Sequence, residues 1–235
     1  MNTATKPRLP RGQHRIEGDL PRFGLPRYVR RWAVIPPNFR LEVGGDITRE
    51  VTFSIQELLE TKRQERTLDL HCVTTWSATE LHWSGQPFRD IWQRLQPLIQ
   101  PGLSVAFVQA FELDGYAASV PLDEAFHQDC LFATHLNGQP LTRKHGAPLR
   151  LVVPQLYGYK SVKHLYRLEF TVRPARTNTV KRLLSHPRGR VDLEERSSLG
   201  FQPMWRWLYR WQLPNFMRMS ESVQNDPGLE ENHSE

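Results

Sequence analysis

The sequence predicts an α+β fold of mixed sheets with short helices. Three observations carry that expectation. Strand-length segments of alternating apolar and polar residues recur through the middle of the chain. Short helical stretches interrupt them without a regular βαβ rhythm. No segment repeats another. At 235 residues and 39% hydrophobic content, the chain suits one domain with appendages.

Taken in order, residues 1–38 are rich in Pro, Arg and Gly and read as a basic extended arm. FRLEVGGDI (39–47) alternates and ends in Gly-Gly, a strand running into a turn, and VTF (51–53) pairs back on it. In SIQELLETK (54–62), Ser54 and Glu57 form a capping box before Ile55, Leu58 and Leu59, which predicts a short helix. RTLDLHCV (66–73) alternates with Leu68, Leu70 and Cys72 on one face, a strand delivering Cys72 at its end. Residues 81–85 are short and extended. Pro87 opens a helix through Leu95, with Phe88, Ile91, Trp92 and Leu95 at helical spacing. SVAFVQAFE (104–112) is a strand, LDGY (113–116) a turn and PLDEAFHQ (121–128) a helix. APLRLVVP (147–154) and KHLYRLEFTV (163–172) close the set as strands. The main folded unit therefore spans 39–174. An extension over 175–235 holds a polar stretch, an aromatic-basic segment at 201–219 and an acidic tail. In 201–219, Met204, Trp205, Leu208 and Trp211 or Gln212 share one helical face, and Arg206 and Arg210 another. This segment packs back as a terminal helix, or contacts a membrane surface or a partner.

The formal net charge is +6, concentrated in residues 1–31, where the only acids are Glu17 and Asp19. Without a nucleic-acid-binding motif this charge does not make the chain a nucleic-acid binder. No apolar window approaches the ~20 residues of a membrane span. Two cysteines, Cys72 and Cys130, make no disulfide framework. With no secretory signal after Met1, the expected location is cytoplasmic.

Cys72 sits in DLHCVTTWSATELHW (69–83) beside a histidine. A lone cysteine is ordinarily a small buried hydrophobe, but it can also be a nucleophile or a metal ligand. Strand alternation turns His71 away from Cys72, which weakens a Cys-His catalytic pair. A zinc site of His71, Cys72 and His82 has no supporting spacing. Further on, KHGAPLRLVVPQLYGYKSVKHLYRLEF (144–170) gathers His145, Arg150, Ser161 and Lys163 around glycines. That donor set suits phosphate or another multiply charged anion, although the Walker spacing is missing.

Together HCVTTWS (71–77), LHWSGQPFRDI (81–91), DGY (114–116) and HGAPLRLVVPQLYGYKSVKHL (145–165) resemble the oxidoreductase molybdopterin-binding domain of the sulfite oxidase superfamily, in its bacterial single-domain form. The resemblance covers roughly residues 35–173, with the pieces in the family's order. It implies a molybdenum-molybdopterin cofactor, with Cys72 of the CVTTWS motif as the thiolate ligand of molybdenum, a soft ligand suited to such a metal. It implies that His145 and Arg150 hold the pterin and that Ser161, Val162 and Lys163 form the phosphate side. Arg22 and Phe23, in RFGL (22–25), are the arm's candidate contact. The implied activity is two-electron redox, typically oxygen-atom transfer with a small-molecule substrate, supported by an unidentified electron-transfer partner. Trp76 and Trp83 are expected as walls of the site or core. The family's sulfite-binding arginine finds no match here, and too few residues follow position 173 for an immunoglobulin-like domain. A non-catalytic scaffold acting through 201–219 is the alternative, against which the joint retention of Cys72, His145, Arg150 and Lys163 argues.

Overall fold

The computed structural model describes residues 8–22, 28, 30–58, 62–175 and 185–224. Within them the alternating segments form two mixed sheets. In the first, β2 (Arg40–Gly45) buries Leu41 and Val43, and β3 (Val51–Ser54) returns antiparallel with Leu41 opposite Phe53. Gly45 lies at φ 104°, and a Cβ there would collide with the Phe170 carbonyl, so the turn needs glycine. The order across this sheet is β3-β2-β11-β6-β7, with β6 (Phe107–Glu112), β7 (Ala117–Pro121) and β11 (Leu165–Thr171). β2 and β11 run parallel, and the other pairs are antiparallel.

The second sheet is organised on β5 (Trp76–Pro87), a twelve-residue strand. β4 (Gln64–His71) and β8 (Leu131–Leu136) lie antiparallel to it. β9 (Gln139–Pro140) and β10 (Arg150–Val152) pair with β8, and β1 (His14–Arg15) runs parallel to the start of β5. Four α-helices, α1 (Ile55–Leu58), α2 (Phe88–Ile99), α3 (Leu122–Ala125) and α4 (Gln202–Gln224), and two 3-10 turns, Arg143–His145 and Gly158–Lys160, lie among the described residues.

The expected capping box forms in full. The Ser54 N–H donates to Glu57 Oε2 at 2.7 Å, and the Glu57 N–H donates to Ser54 Oγ at 3.1 Å. Residues 59–61 of the predicted helix lie outside the described residues. α2 runs four residues past Leu95, through Pro97, and ends where Gln100 caps it in the left-handed region at φ 45° with its N–H donating to Gln96 O. The short extended piece at 81–85 belongs to the much longer β5, whose registers shift between Leu68 and Leu70 of its partner and between Ser84 and Gly85. Conversely, the segments predicted as strands at 104–112 and 147–154 pair only over 107–112 and 150–152.

Three features escape the sequence pattern. β8, LFATHL, is buried on nearly every side chain, so it shows no alternation. β7 is built of small residues, and β1 occupies two residues of an arm expected to lack regular structure. That arm is anchored: the His14 N–H donates to Thr75 O at 3.0 Å and the Ile16 N–H to Ser77 O at 3.0 Å.

The main core lies around α2, where Phe88, Ile91, Leu95 and Ile99 meet Val108, Phe132, Leu151 and Phe170. A second apolar cluster, with Leu70, Trp76, Trp83, Leu136 and Val152, takes Cys72 and Leu213 at its edge. α4 packs back, but in a different rotation from that expected. Trp205 and Tyr209 are buried, whereas Met204 and Trp211 are 46% and 65% exposed. The Trp205 Nε1–H donates to Leu199 O at 2.9 Å, and Arg206 Nε and Nη2 reach Glu194 at 2.5 and 2.7 Å, which fixes this rotation. Among the described residues no helix is long and apolar enough to cross a membrane.

Candidate cofactor site

Cys72 follows the last residue of β4 and starts a tight turn into β5. Its N–H donates to Trp76 O at 2.8 Å, and the Thr75 N–H donates back to Cys72 O at 3.2 Å. Thr75, a β-branched residue, is held at φ 75°, a conformation costing about 1–3 kcal/mol. Cys72 is partly exposed, with Sγ 3.0 Å from Thr74 Oγ1. Desolvation raises the thiol pKa; hydrogen bonds from Thr74 and the Arg196 charge act the other way. His71 turns to Ser77 instead, with Nδ1 2.8 Å from Oγ, as alternation predicts. His82 sits against Thr67, Nδ1 to Oγ1 3.0 Å. Among the described residues no three His, Cys, Asp or Glu side chains are placed to hold a metal ion, so His71, Cys72 and His82 form no zinc cluster.

Beside the same apolar cluster lies a buried cationic pocket. Arg150, on β10, is 2% exposed, and its guanidinium lies 5.1 Å over the Trp83 ring. Its Nη1–H donates to His145 O at 3.1 Å, while Nε is buried without a hydrogen-bond partner. Burial pulls its pKa down to about 10. His164 is 1% exposed, at φ 44°; its Nδ1–H donates to Ala147 O at 2.6 Å, and Nε2 is likewise buried without a partner. Desolvation, together with the charges of Lys163, Arg22 and Arg150, pulls it down to about 4, so the ring is neutral. Lys163 feels desolvation, then Arg150 and Arg22, and is pushed down. Glu112 is the opposing carboxylate. Its Oε1 accepts the Lys163 backbone N–H at 2.6 Å, and burial followed by Asp114 pushes it up. Gly146, at φ 102°, lets the His145 loop close on Lys163: a Cβ there would stand 2.9 Å from Lys163 Cβ.

Buried Arg150 and Arg22, with Lys163 beside them and Glu112 and Asp114 as the nearby acids, leave the Arg150 Nε–H buried without a partner, which is costly unless an acceptor joins it. The residues therefore fit a phosphate-bearing ligand.

The predicted set divides in the structure. Arg22, Arg150 and Lys163 converge on this pocket. Arg22 is 4% exposed, stacks 3.9 Å over Trp32, and donates to Arg31 O and Tyr28 O. His145 borders the pocket through its carbonyl. Its ring faces away, with Nε2 3.2 Å from Leu20 O and 3.3 Å from Asp19 Oδ1. The Ser161 hydroxyl accepts the Val153 N–H at 3.0 Å, and Val162 is core whose carbonyl accepts the Leu151 N–H; neither side chain enters the pocket. A polar side chain among small residues looks the same in sequence whether it caps its own loop or meets a ligand. Phe23 lies outside the described residues. Glu112 and His164 were missed by sequence reasoning. Each stood beside a motif residue already singled out, next to DGY and to Lys163, and burial alone distinguishes them.

A pH dependence follows for the cofactor-free protein. The folded-state pKa of His164 lies below its unfolded value, so the unfolded chain binds the extra proton. Stability is then complete above about pH 6.5 and falls as pH drops towards 4. At about 1.4 kcal/mol per tenfold change in proton affinity, His164 removes about 2–3 kcal/mol between pH 7.5 and 4.5. In urea titrations at both pH values, H164Q should lose less than the wild type by that amount.

An antiparallel-rich α+β frame with a free thiol at the edge of the apolar cluster that also carries a buried arginine describes a class of cofactor-binding redox domains. The model of the oxidoreductase molybdopterin binding domain matches residues 29–179, and the chain belongs to that family. It is 33% identical over 133 residues to the uncharacterised oxidoreductase YuiH of Bacillus subtilis (strain 168), covering 57% of this chain and 65% of YuiH. It is 35% identical over 143 residues to the catalytic subunit of the protein-methionine-sulfoxide reductase MsrP from Xanthomonas axonopodis pv. citri (strain 306), covering 55% of this chain and 44% of that protein. The chain thus matches less than two thirds of these relatives' length. Among solved structures, the sulfane dehydrogenase SoxCD of Paracoccus pantotrophus superposes with a TM-score of 0.53 over 65% of this chain and 43% of that one, at 22% identity. That likeness supports the fold, mixed sheets with few short helices.

Proposed function

We propose that this protein is a molybdenum-cofactor-dependent oxidoreductase in which Cys72 supplies the protein's thiolate to the metal. The observation that carries the reading is the pairing of a free cysteine, Cys72, with a cluster of buried Arg150, Arg22 and neutral His164 that Lys163 borders. When bound, the cofactor supplies two-electron redox chemistry, with oxygen-atom transfer to or from a small substrate.

The chain's own residues do the rest. Arg150 Nε–H would donate to the cofactor's phosphate, and His164 Nε2, the bare nitrogen of a neutral ring whose Nδ1–H is held by Ala147 O, would accept from an N–H of the pterin edge. Lys163 adds charge, and Glu112 holds the Lys163 backbone while limiting the pocket's positive charge. Trp83 forms the apolar floor under Arg150. With burial raising the Cys72 thiol pKa, binding to the metal releases its proton. The electrons require a partner, and we assign its contact to the outward side of α4, where Met204, Trp207 and Trp211 are exposed without any carboxylate between them. The two free cysteines favour a reducing compartment, the cytoplasm.

The deciding experiment is elemental and pterin analysis of protein purified from a host able to make the cofactor. One molybdenum and one pterin per chain is expected; absence of both sinks the reading.

A further inference from the structure

The turn that carries Cys72 is strained at Thr75, and a strained turn persists only where its surroundings hold it. Groups from outside the family-matched residues 29–179 bond to each of its four positions except Thr74. From the arm, Gln13 Nε2 donates to Cys72 O at 3.0 Å and the His14 N–H to Thr75 O at 3.0 Å. From the extension, Arg196 Nη1 donates to Val73 O.

Arg196 has 0% exposure and is bound on every side. Its Nη2 reaches Arg11 O at 3.4 Å, and its Nε reaches Glu194 Oε1 at 3.2 Å. Its backbone N–H donates to Gln202 Oε1 at 2.9 Å, at the start of α4. Glu194 is gripped in turn by Arg206 of α4, whose aliphatic stem closes on Gly12 of the arm, a glycine at φ 72°. The Arg196 guanidinium lies 5.2 Å over Tyr157, a fully buried ring near Gln13 whose hydroxyl makes no hydrogen bond of ordinary length. Arm, cysteine turn, YGYK loop and terminal helix therefore meet at one guanidinium. Lysine offers no planar fork able to serve Val73, Arg11 and Glu194 together.

We propose that the C-terminal extension is part of the Cys72 site, and that Arg196 is a positioning residue that clamps the cysteine turn to the arm and to α4. It acts through Val73 O and touches no substrate. The inference deepens the reading of Cys72 as the metal ligand and rests on it only for its consequence, that the clamp sets the thiol for the metal.

Two measurements on the full chain separate the two. In cofactor-free protein, hydrogen exchange reports the turn itself. R196Q should lose protection about tenfold or more at the amides of Cys72 and Thr75, with the amides of β6 unchanged. Should R196Q fail to fold, R206Q, at a partly exposed position, removes α4's grip on Glu194 and should give a smaller loss in the same amides. Unchanged turn protection in the folded variants overturns the clamp whatever the cofactor does. In cofactor-loaded protein, iodoacetamide labelling followed by mass spectrometry reports the thiol, with buried Cys130 as internal control. The wild type should be protected at Cys72, and R196Q should label at least tenfold faster at equal pterin content. Equal labelling rates in loaded protein would also overturn the clamp's role at the site. A wild type lacking molybdenum and pterin instead overturns the metal reading, while the exchange experiment still judges the clamp.

Discussion

Cys72→Ser is expected to abolish metal-centred turnover, by on the order of 10³-fold or more, as for removal of a group the chemistry runs through. The fold should scarcely notice. Cys72 is partly exposed at the margin of its apolar cluster, and a serine hydroxyl can still meet Thr74. The denaturation midpoint should therefore shift by no more than about 1 kcal/mol. A buried hydrophobic cysteine would behave in the opposite sense, costing stability and leaving turnover intact. Dye-coupled turnover and molybdenum content, measured beside a urea titration, distinguish the two. Pterin content should fall less than molybdenum, because the cationic pocket is untouched.

Arg150→Met is the complementary case, and its sign reverses with the cofactor. Without an anion, Arg150 buries a charge among Lys163 and Arg22, with Nε unpaired. Replacing such a group with an apolar side chain of similar length should be neutral or stabilising in cofactor-free protein, by about 1–2 kcal/mol. With the cofactor present, the same change removes a charge-assisted donor. Pterin retention should then drop by about 10–100-fold, the range seen when partners of a bound centre are lost. Urea midpoints of the cofactor-free protein and pterin retained after gel filtration test both halves. A variant destabilised in cofactor-free protein and still fully loaded would show that Arg150 is a structural cation.

Local signals were legible where a single element obeyed a single rule. The capping box of Ser54 and Glu57, the β2–β3 hairpin and the helix after Pro87 all appear because hydrogen bonding within a few residues decides them. Elements whose stability is borrowed were not legible. β8 shows no alternation because both its faces are covered, and β1 exists because β5 offers it an edge. The rotation of α4 came out wrong for the same reason. An all-round aromatic helix has several plausible inner faces, and the ion pair of Arg206 with Glu194 selects among them. At the site, Cys72, Arg150 and Lys163 stood out as chemistry-bearing residues in motifs. Ser161 stood out equally and proves to serve its own loop.

By itself the sequence determined the class of this protein. The order of HCVTTWS, LHWSGQPFRDI and HGAPLRLVVPQLYGYKSVKHL sets the fold and marks the thiol, because these segments encode local turns, glycine approaches and charged donors directly. Tertiary structure alone decided which charges face each other in the dark of the protein. Glu112, His164 and Arg22 come from segments far apart in the chain, and their meaning lies in shared desolvation, which no single segment encodes. It also decided that the extension belongs to the site, since Arg196 is an ordinary surface-type residue in sequence and becomes a clamp only when Val73, Arg11 and Glu194 surround it.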